Sequence, residues 1–378
     1  MGENILNNKF YDILSLGKWK KEPLDINSKS FDANLMLSYD KTLEPLKDYD
    51  DKNKDLKKIY DMRRGAECHR QVRRYIQEKI RPGMSLLDIS NSVEHKIIEI
   101  FGQNNLNAGI GFPTGLSINH IAAHDSANPN DKRILGFDDV CKVDFGTHCN
   151  GRIIDCAFTV AFNPKFEPLV NATKDGTWTG IRLAGPDVRI KEISEGIQEA
   201  IESYEIELNG KIYPIKAVAN LGGHSIDPYH IHSGKLVLCS PDGMDENMKM
   251  DVNECFAIET FATTGNSSFL MTDTNMECNH FMKKLNVPRV DLKLNATKKT
   301  LTHINRNRGT LPFCSRWLYN DKNIGSHYKI GLNELVNKGI VEQYPPIRDK
   351  PGNYTSQWEH TIYLHEYGKE VLSFGDDF

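Results

Sequence analysis

The stretch Val140–Phe162 reads VCKVDFGTHCNGRIIDCAFTVAF. Asn150-Gly151 within it is the strongest short-range hairpin signal, because both residues tolerate the positive φ of a tight turn. A two-residue turn pairs Cys149 with Arg152 and sets Asp144 opposite Ala157. Asp155 then lies one diagonal step from Asp144, on the same face of the sheet. Apolar and β-branched residues flank both. Adjacent like charges repel, and charged side chains are seldom buried without a partner. A divalent cation between the two is the simplest partner. Either aspartate alone also reads as a solvated strand residue, so the rest of the chain must decide.

Upstream lies GIGFPTG, Gly109–Gly115. It departs from GxGxxG, because Thr114 stands where the third glycine belongs, so we read a tight loop shaping a pocket wall. SINHIAAHD follows, a strand-like stretch carrying His120 and His124. Before the loop, helical periodicity runs from about Asp51 to Ile80, with Ile59, Met62, Ala66, Tyr75 and Ile76 inward under many Arg and Lys. Pro82-Gly83 ends it, and Ser85 caps a second helix with Asp88 three residues on. Leu87, Val93, Ile97 and Phe101 can face inward along that helix.

Downstream, LAGPDVRIKEISEGIQEAIE (Leu183–Glu202) echoes RPGMSLLDISNSVEHKIIE (Arg81–Glu99). Gly83 matches Gly185 and Ile89 matches Ile193, at separations of 102 and 104 residues, which points to two similar halves. Then come NLGGHSID with His224, YHIHSG with His232, the alternating strand NECFAIETFATTG with Glu259, and the closing strand SQWEHTIYLHE with Glu359. Residues 281–343 mix basic, helical and loop segments with few metal ligands, and read as an inserted subdomain. Residues 1–50 read as a polar arm, surface-lying or partly disordered, ahead of a folded domain over 51–378.

The 378 residues carry a net charge of −4, which gives no case for DNA binding. No apolar run approaches the roughly 18 residues a membrane helix needs, and the first ten residues lack a signal-peptide core. Eight scattered cysteines without a CxxC fit reduced thiols in the cytoplasm. Asp144-Phe145-Gly146 invites a kinase reading, which fails for want of a His-Arg-Asp loop and a phosphate loop.

Asp144, Asp155, His224, Glu259 and Glu359 therefore stand as a candidate ligand set. Glu259 in CFAIETF and Glu359 in WEHTIYL sit in surroundings that imply burial, where an unpaired carboxylate is very costly. Four carboxylates balance two divalent ions. Oxygen ligands with one imidazole suit Mn, Fe, Co or Zn. Two such metals roughly 3.5–4 Å apart lower the pKa of a shared water and yield a hydroxide for amide, ester or phosphoester hydrolysis. His124, His232 and His280 are available to donate protons or orient a carbonyl, and each reads equally well as a structural histidine.

Taken together, KVDFGTHCNGRIIDCAFTV, LGGHSID, AIETF and QWEHTI resemble the methionine aminopeptidases, specifically the type 2 group. FPTGLSINHIAAHD, MECNHFMK, GTLPFCSRWL and the closing GDDF resemble the same group, over about Tyr60–Phe378. The resemblance implies the pita-bread α/β fold, with pseudo-twofold halves and a type 2 helical insertion at about 281–343. It implies removal of the initiator methionine from nascent chains with a small second residue, by a hydroxide bridging two divalent metals. Asp144 is then a ligand of one metal, His224 and Glu259 of the other, and Asp155 and Glu359 bridge both. His124 matches a substrate-orienting histidine that fumagillin-type inhibitors alkylate, His232 a second histidine near the scissile carbonyl, and Glu259 the proton shuttle. Phe112, Ile231, His280, Met282 and Tyr344 match the lining of the methionine pocket. The partners implied are nascent N-termini and the ribosome, for a cytoplasmic monomer. The competing function is a catalytically inactive pita-bread protein that binds RNA or protein partners; a third keeps the hydrolase with Xaa-Pro substrates. Pro312 departs from the group, which has alanine there, and the arm lacks the group's poly-Lys and acidic blocks.

Overall fold

The computed structural model describes residues 13, 16–47, 49–52 and 56–378; the first twelve residues of the polar arm lie outside these. Two long antiparallel strand pairs form the centre. One is the hairpin Val140–Cys149 with Arg152–Ala161, flanked by Ala108–Ile118. The other is Cys255–Thr263 with Thr355–Leu364. Gly222–Ser225 extends the second pair on one side and Lys369–Val371 on the other.

The two sheets meet where Arg152–Ala161 runs beside Thr355–Leu364. Two threonines join them. Thr361 Oγ1 donates to the Asp155 carbonyl at 2.6 Å and accepts from the Asp155 amide at 2.8 Å. Thr159 Oγ1 does the same for Gln357, at 2.7 and 2.9 Å. Each hydroxyl satisfies one buried donor and one buried acceptor that would otherwise be orphaned.

Helices pack behind each half. α1 (Lys57–Lys79) and α2 (Leu86–Phe101) lie behind the hairpin, and α3 (Glu167–Leu183) and α4 (Ile190–Glu202) behind the second pair. Thr147 Oγ1 bonds the Gly65 carbonyl of α1, and Thr177 Oγ1 of α3 bonds the Trp358 carbonyl. Ser85 caps α2 by accepting from the Asp88 amide. Ile89, Val93 and Ile97 of α2 and Ile193, Ile197 and Ile201 of α4 are all buried at helical spacing.

The internal repeat is visible bond by bond. The Gly83 amide bonds Leu135, Leu86 bonds Arg133, and Leu135 bonds back to Met84. In the second half Asp187 bonds Met250, Ile190 bonds Met248, and Met250 bonds back to Val188. Gly83 (φ 95°) therefore corresponds to Asp187 (φ 64°), not to Gly185; the turn and helix start repeat at 104 residues and their partner segments at 115.

Three sequence expectations shift. α1 begins at Lys57 rather than near Asp51. Its arginines are not all solvated: Arg63 is buried against Glu370, and Arg73 against Asp377 at 2.6 Å. GIGFPTG is strand rather than loop, paired with the hairpin through two irregularities around Phe112. Its glycines serve close approach: a side chain at Gly111 would meet the Gly146 and Thr147 backbone at 3.0 Å.

Residues 280–344 carry their own three-stranded sheet, of Phe313–Cys314, His280–Lys283 and Val341–Tyr344. A separate apolar cluster, including Phe281, Ile304, Phe313 and Leu335, lies beneath it. Upstream, Met36–Leu37 is buried and pairs with Lys369–Val371 at one border of the sheet, and Leu37 bridges outward to Pro45. Among the described residues no helix is long and apolar enough to cross a membrane.

Candidate metal centre

The hairpin has the register its turn dictates: Cys149 pairs with Arg152, Asp144 with Ala157, and Gly146 with Asp155. Both aspartates thus project from one face. In the neighbouring sheet Glu259 pairs directly with Glu359, and His224 pairs with Ala257, two residues before Glu259. With a side-chain period of two, His224, Glu259 and Glu359 share a face as well. The Thr361 junction brings the faces together. Donor atoms of Asp155, His224 and Glu359 all lie within 4.8 Å of one another. His224 Nε2 is 3.6 Å from Asp155 Oδ2 and 3.7 Å from Glu259 Oε1. Gln357 Nε2 donates to Glu259 Oε2 at 3.0 Å and to Asp144 Oδ2 at 3.3 Å. Five donors from five strands therefore meet on one floor.

Two glycines permit this. A side chain at Gly223, beside His224, would lie 2.2 Å from the Ala257 carbonyl oxygen. One at Gly146 would strike the Phe112 ring at 2.2 Å. Neither contact leaves room for a methyl group.

The electrostatics call for a cation. Burial pushes Asp144 up to about 7, against the Gln357 hydrogen bond. Asp155 is raised well above its ordinary value by burial and then by the Asp144 charge. Glu259 is raised by burial, then by Asp155 and Asp144. Glu359 is raised by burial, then by Asp155, Glu259 and Asp144. Burial lowers His224 to about 4, which keeps the imidazole neutral. Its Nδ1 faces the Ser225 carbonyl at 3.4 Å, so Nε2 turns its lone pair on two carboxylates at distances too long for hydrogen bonds. Asp144 Oδ1 and both Glu359 oxygens are buried without a hydrogen-bond partner among the described residues. Carboxylate oxygens and an imidazole lone pair converging on one place, each carboxylate raised for want of a positive partner, fit a divalent first-row ion.

Above this floor lies a cavity of about 320 Å³. Asp144, Asp155, His224 and Glu259 line its polar end, with His124 and His232 beside them. Phe112, Ile231, His280, Met282, Pro312 and Tyr344 form the other end. His124 adopts φ 64°, a left-handed conformation uncommon outside glycine, and burial lowers it to about 4. Its ring stands edge-on to Tyr344 at 5.7 Å. His232 stands edge-on to His224 at 4.4 Å. His280 Nε2 lies 2.6 Å from Ser126 Oγ, whose own proton goes to the Thr114 carbonyl. His280 therefore carries its proton on Nε2.

Every residue singled out from the sequence for this site falls on the cavity or directly beneath it. His120, by contrast, does not line the cavity. Gln357 was missed. The available signal was its position two before Glu359 on one strand, hence on the same face.

The sequence profile of metallopeptidase family M24 matches residues 60–276, and the chain belongs to that family. A methionine aminopeptidase 2 of Debaryomyces hansenii is 46% identical over 375 residues, covering 99% of this chain and 85% of its own. One of Schizosaccharomyces pombe is 48% identical over 318 residues, covering 84% and 73%. Within the family this chain thus groups with the type 2 methionine aminopeptidases. Among solved structures, a thermophilic Arx1 superposes with a TM-score of 0.68 at 16% identity, covering 84% of this chain and 90% of that one. A methionine aminopeptidase of Thermotoga maritima gives 0.55 at 16%, covering 84% and 97%. These likenesses carry the fold alone, and the fold is the expected pita bread.

Proposed function

We propose that this chain releases the N-terminal methionine from nascent proteins and peptides whose second residue is small. Two divalent ions (Co, Mn, Fe or Zn) would be held by Asp144, Asp155, His224, Glu259 and Glu359. The observation that carries the reading is the junction of that charged floor with an apolar, aromatic cavity end. When bound, the metals supply Lewis acidity that brings the pKa of a water toward neutrality.

The chain's own groups supply the rest. Phe112, Ile231, Met282 and Tyr344, with His280, take the methionine side chain, whose flexible thioether suits such a wall. His124 and His232, neutral through burial, donate to the substrate carbonyl region and fix its orientation. Glu259 faces the cavity with its side chain 14% exposed, the better placed of the paired glutamates to accept a proton and return it to the leaving amine. The same reading has residues 1–50 as an arm, 51–378 as the catalytic domain and 281–343 as its insertion. It places the protein in the cytoplasm as a monomer, with the ribosome as a partner.

The test is methionine release from Met-Ala-Ser by metal-stripped protein given each divalent ion in turn. Turnover restored by at least one ion is expected. No release with any of them, from protein that binds metal, would leave a non-enzymatic pita-bread protein.

A further inference from the structure

The cavity's apolar end is assembled from two parts of the molecule, and one side chain ties them. Arg308 closes the helix Asn295–Asn307 of the insertion and is 4% exposed. Its Nη1 donates to the Ile110 carbonyl at 2.9 Å, and its Nη2 to the Gly111 and Pro312 carbonyls at 2.9 Å each. Ile110 and Gly111 immediately precede Phe112, at the first irregularity in that strand. Phe112 and Pro312 both line the cavity. The guanidinium plane lies over Trp317, 4.9 Å from the ring centre.

The strand irregularity explains why the Gly111 carbonyl needs an outside donor. Pairing with the hairpin jumps from Ile110 to Phe112, leaving Gly111 out of the ladder. Pro312 has no amide to continue the ladder of Phe313–Cys314, and its carbonyl turns to Arg308 instead. A planar fork that holds three carbonyls at once fixes their separation, which a single ammonium point charge does not. Two residues on, Thr310 Oγ1 donates to the Tyr229 carbonyl at 2.6 Å, close before Ile231 and His232. Leu311 between them packs in one cluster with Phe112, Ile231 and Met282.

We infer that Arg308 is a positioning residue that sets the width of the side-chain pocket, by tying the Phe112 wall to the Pro312 wall. It touches no substrate and acts through Phe112 and Pro312. This rests on the reading of that cavity as the methionine pocket.

The experiment compares wild type, Arg308→Lys and Arg308→Ala on peptides Xaa-Ala-Ser with Xaa Met, norleucine, Leu or Phe, at matched metal content. In Arg308→Ala we expect kcat/KM for Met to fall about 10- to 100-fold, chiefly through KM, the order expected when a wall is displaced by about 1 Å. Preference for Met over Leu and Phe should shrink by about tenfold. Arg308→Lys should show the same changes in smaller measure, and guanidinium ion at sub-denaturing concentration should partly restore Arg308→Ala. A fall in kcat alone with side-chain preference intact, or unaltered kinetics in Arg308→Lys, would overturn the inference, even if Arg308→Ala fails to fold. Failure of the wild type to release Met would sink the parent reading instead.

Discussion

Glu259 and Glu359 are directly paired across two antiparallel strands, with their carboxylates on one face and the Asp155 charge acting on both. Like charges placed opposite one another destabilise a sheet, so under the proposed function this pair trades stability for cation binding. Glu359→Gln should lose a bound ion and about a thousandfold in peptide cleavage, since a metal contributes several kcal/mol to the transition state and each 1.36 kcal/mol is tenfold. In the metal-stripped state the same variant should melt at a higher temperature than stripped wild type. Calorimetry of both proteins with and without metal checks the reversal.

Gln357 holds Asp144 and Glu259 through one amide nitrogen. Gln357→Leu leaves all five proposed ligands but frees Asp144 and Glu259 to move. Metal affinity should weaken about 10- to 100-fold, the usual scale for groups that orient ligands. Excess metal should then recover most activity. Isothermal titration with Mn or Co, paired with assays at saturating metal, separates this from a lost ligand.

Thr361→Val removes the hydroxyl that joins the half-sheets at Asp155. The Asp155 amide and carbonyl are left buried without partners, at a cost of about 1–3 kcal/mol. Denaturant unfolding should show that loss. Metal affinity should drop with it, because the Asp155 backbone is no longer fixed.

With metal bound, so that the four site carboxylates stay ionised, stability should fall on acidification in two stages. Burial, and then neighbouring positive charge, lowers His148 and His280 to about 3, whereas unfolded histidine titrates near 6.5. Between those values the unfolded chain binds more protons, so stability declines as pH drops from about 6.5 toward 3. Glu370 is buried, which alone would raise it, but bonds from His365 and Arg63 outweigh that and hold it below the ordinary carboxylate range. Its contribution is present above the unfolded value near 4.3 and vanishes as pH falls through the lowered one. A pH series of Tm should slope downward from near neutrality, and His148→Asn should flatten the upper stage.

Much of this was legible from sequence. The aspartate face followed from a two-residue turn and a period of two, which leave one register. Glu259 and Glu359 stood out because carboxylates inside apolar strands need a partner. Less legible were groups whose partners lie far along the chain. Arg63 and Arg73 look solvated until Glu370 and Asp377, some 300 residues away, fold over them. Glycine content made Gly109–Gly115 look like a loop, when Gly111 answers to the Gly146–Thr147 backbone across the ladder and Gly109 to Asn104. Arg308 gave no sequence signal, because its acceptors are backbone carbonyls, which every residue has.

The short Met36–Leu37 strand has a consequence for handling the protein. It shields the amides and carbonyls of Lys369–Val371, and its own outer flank ends on Pro45, which has no proton to offer a newcomer. The sheet is thereby finished with a blunt hem. Shortening the chain past Leu37 would cut that hem away and leave a raw border ready to recruit a neighbouring molecule, so truncated preparations should clump where full-length protein stays dispersed.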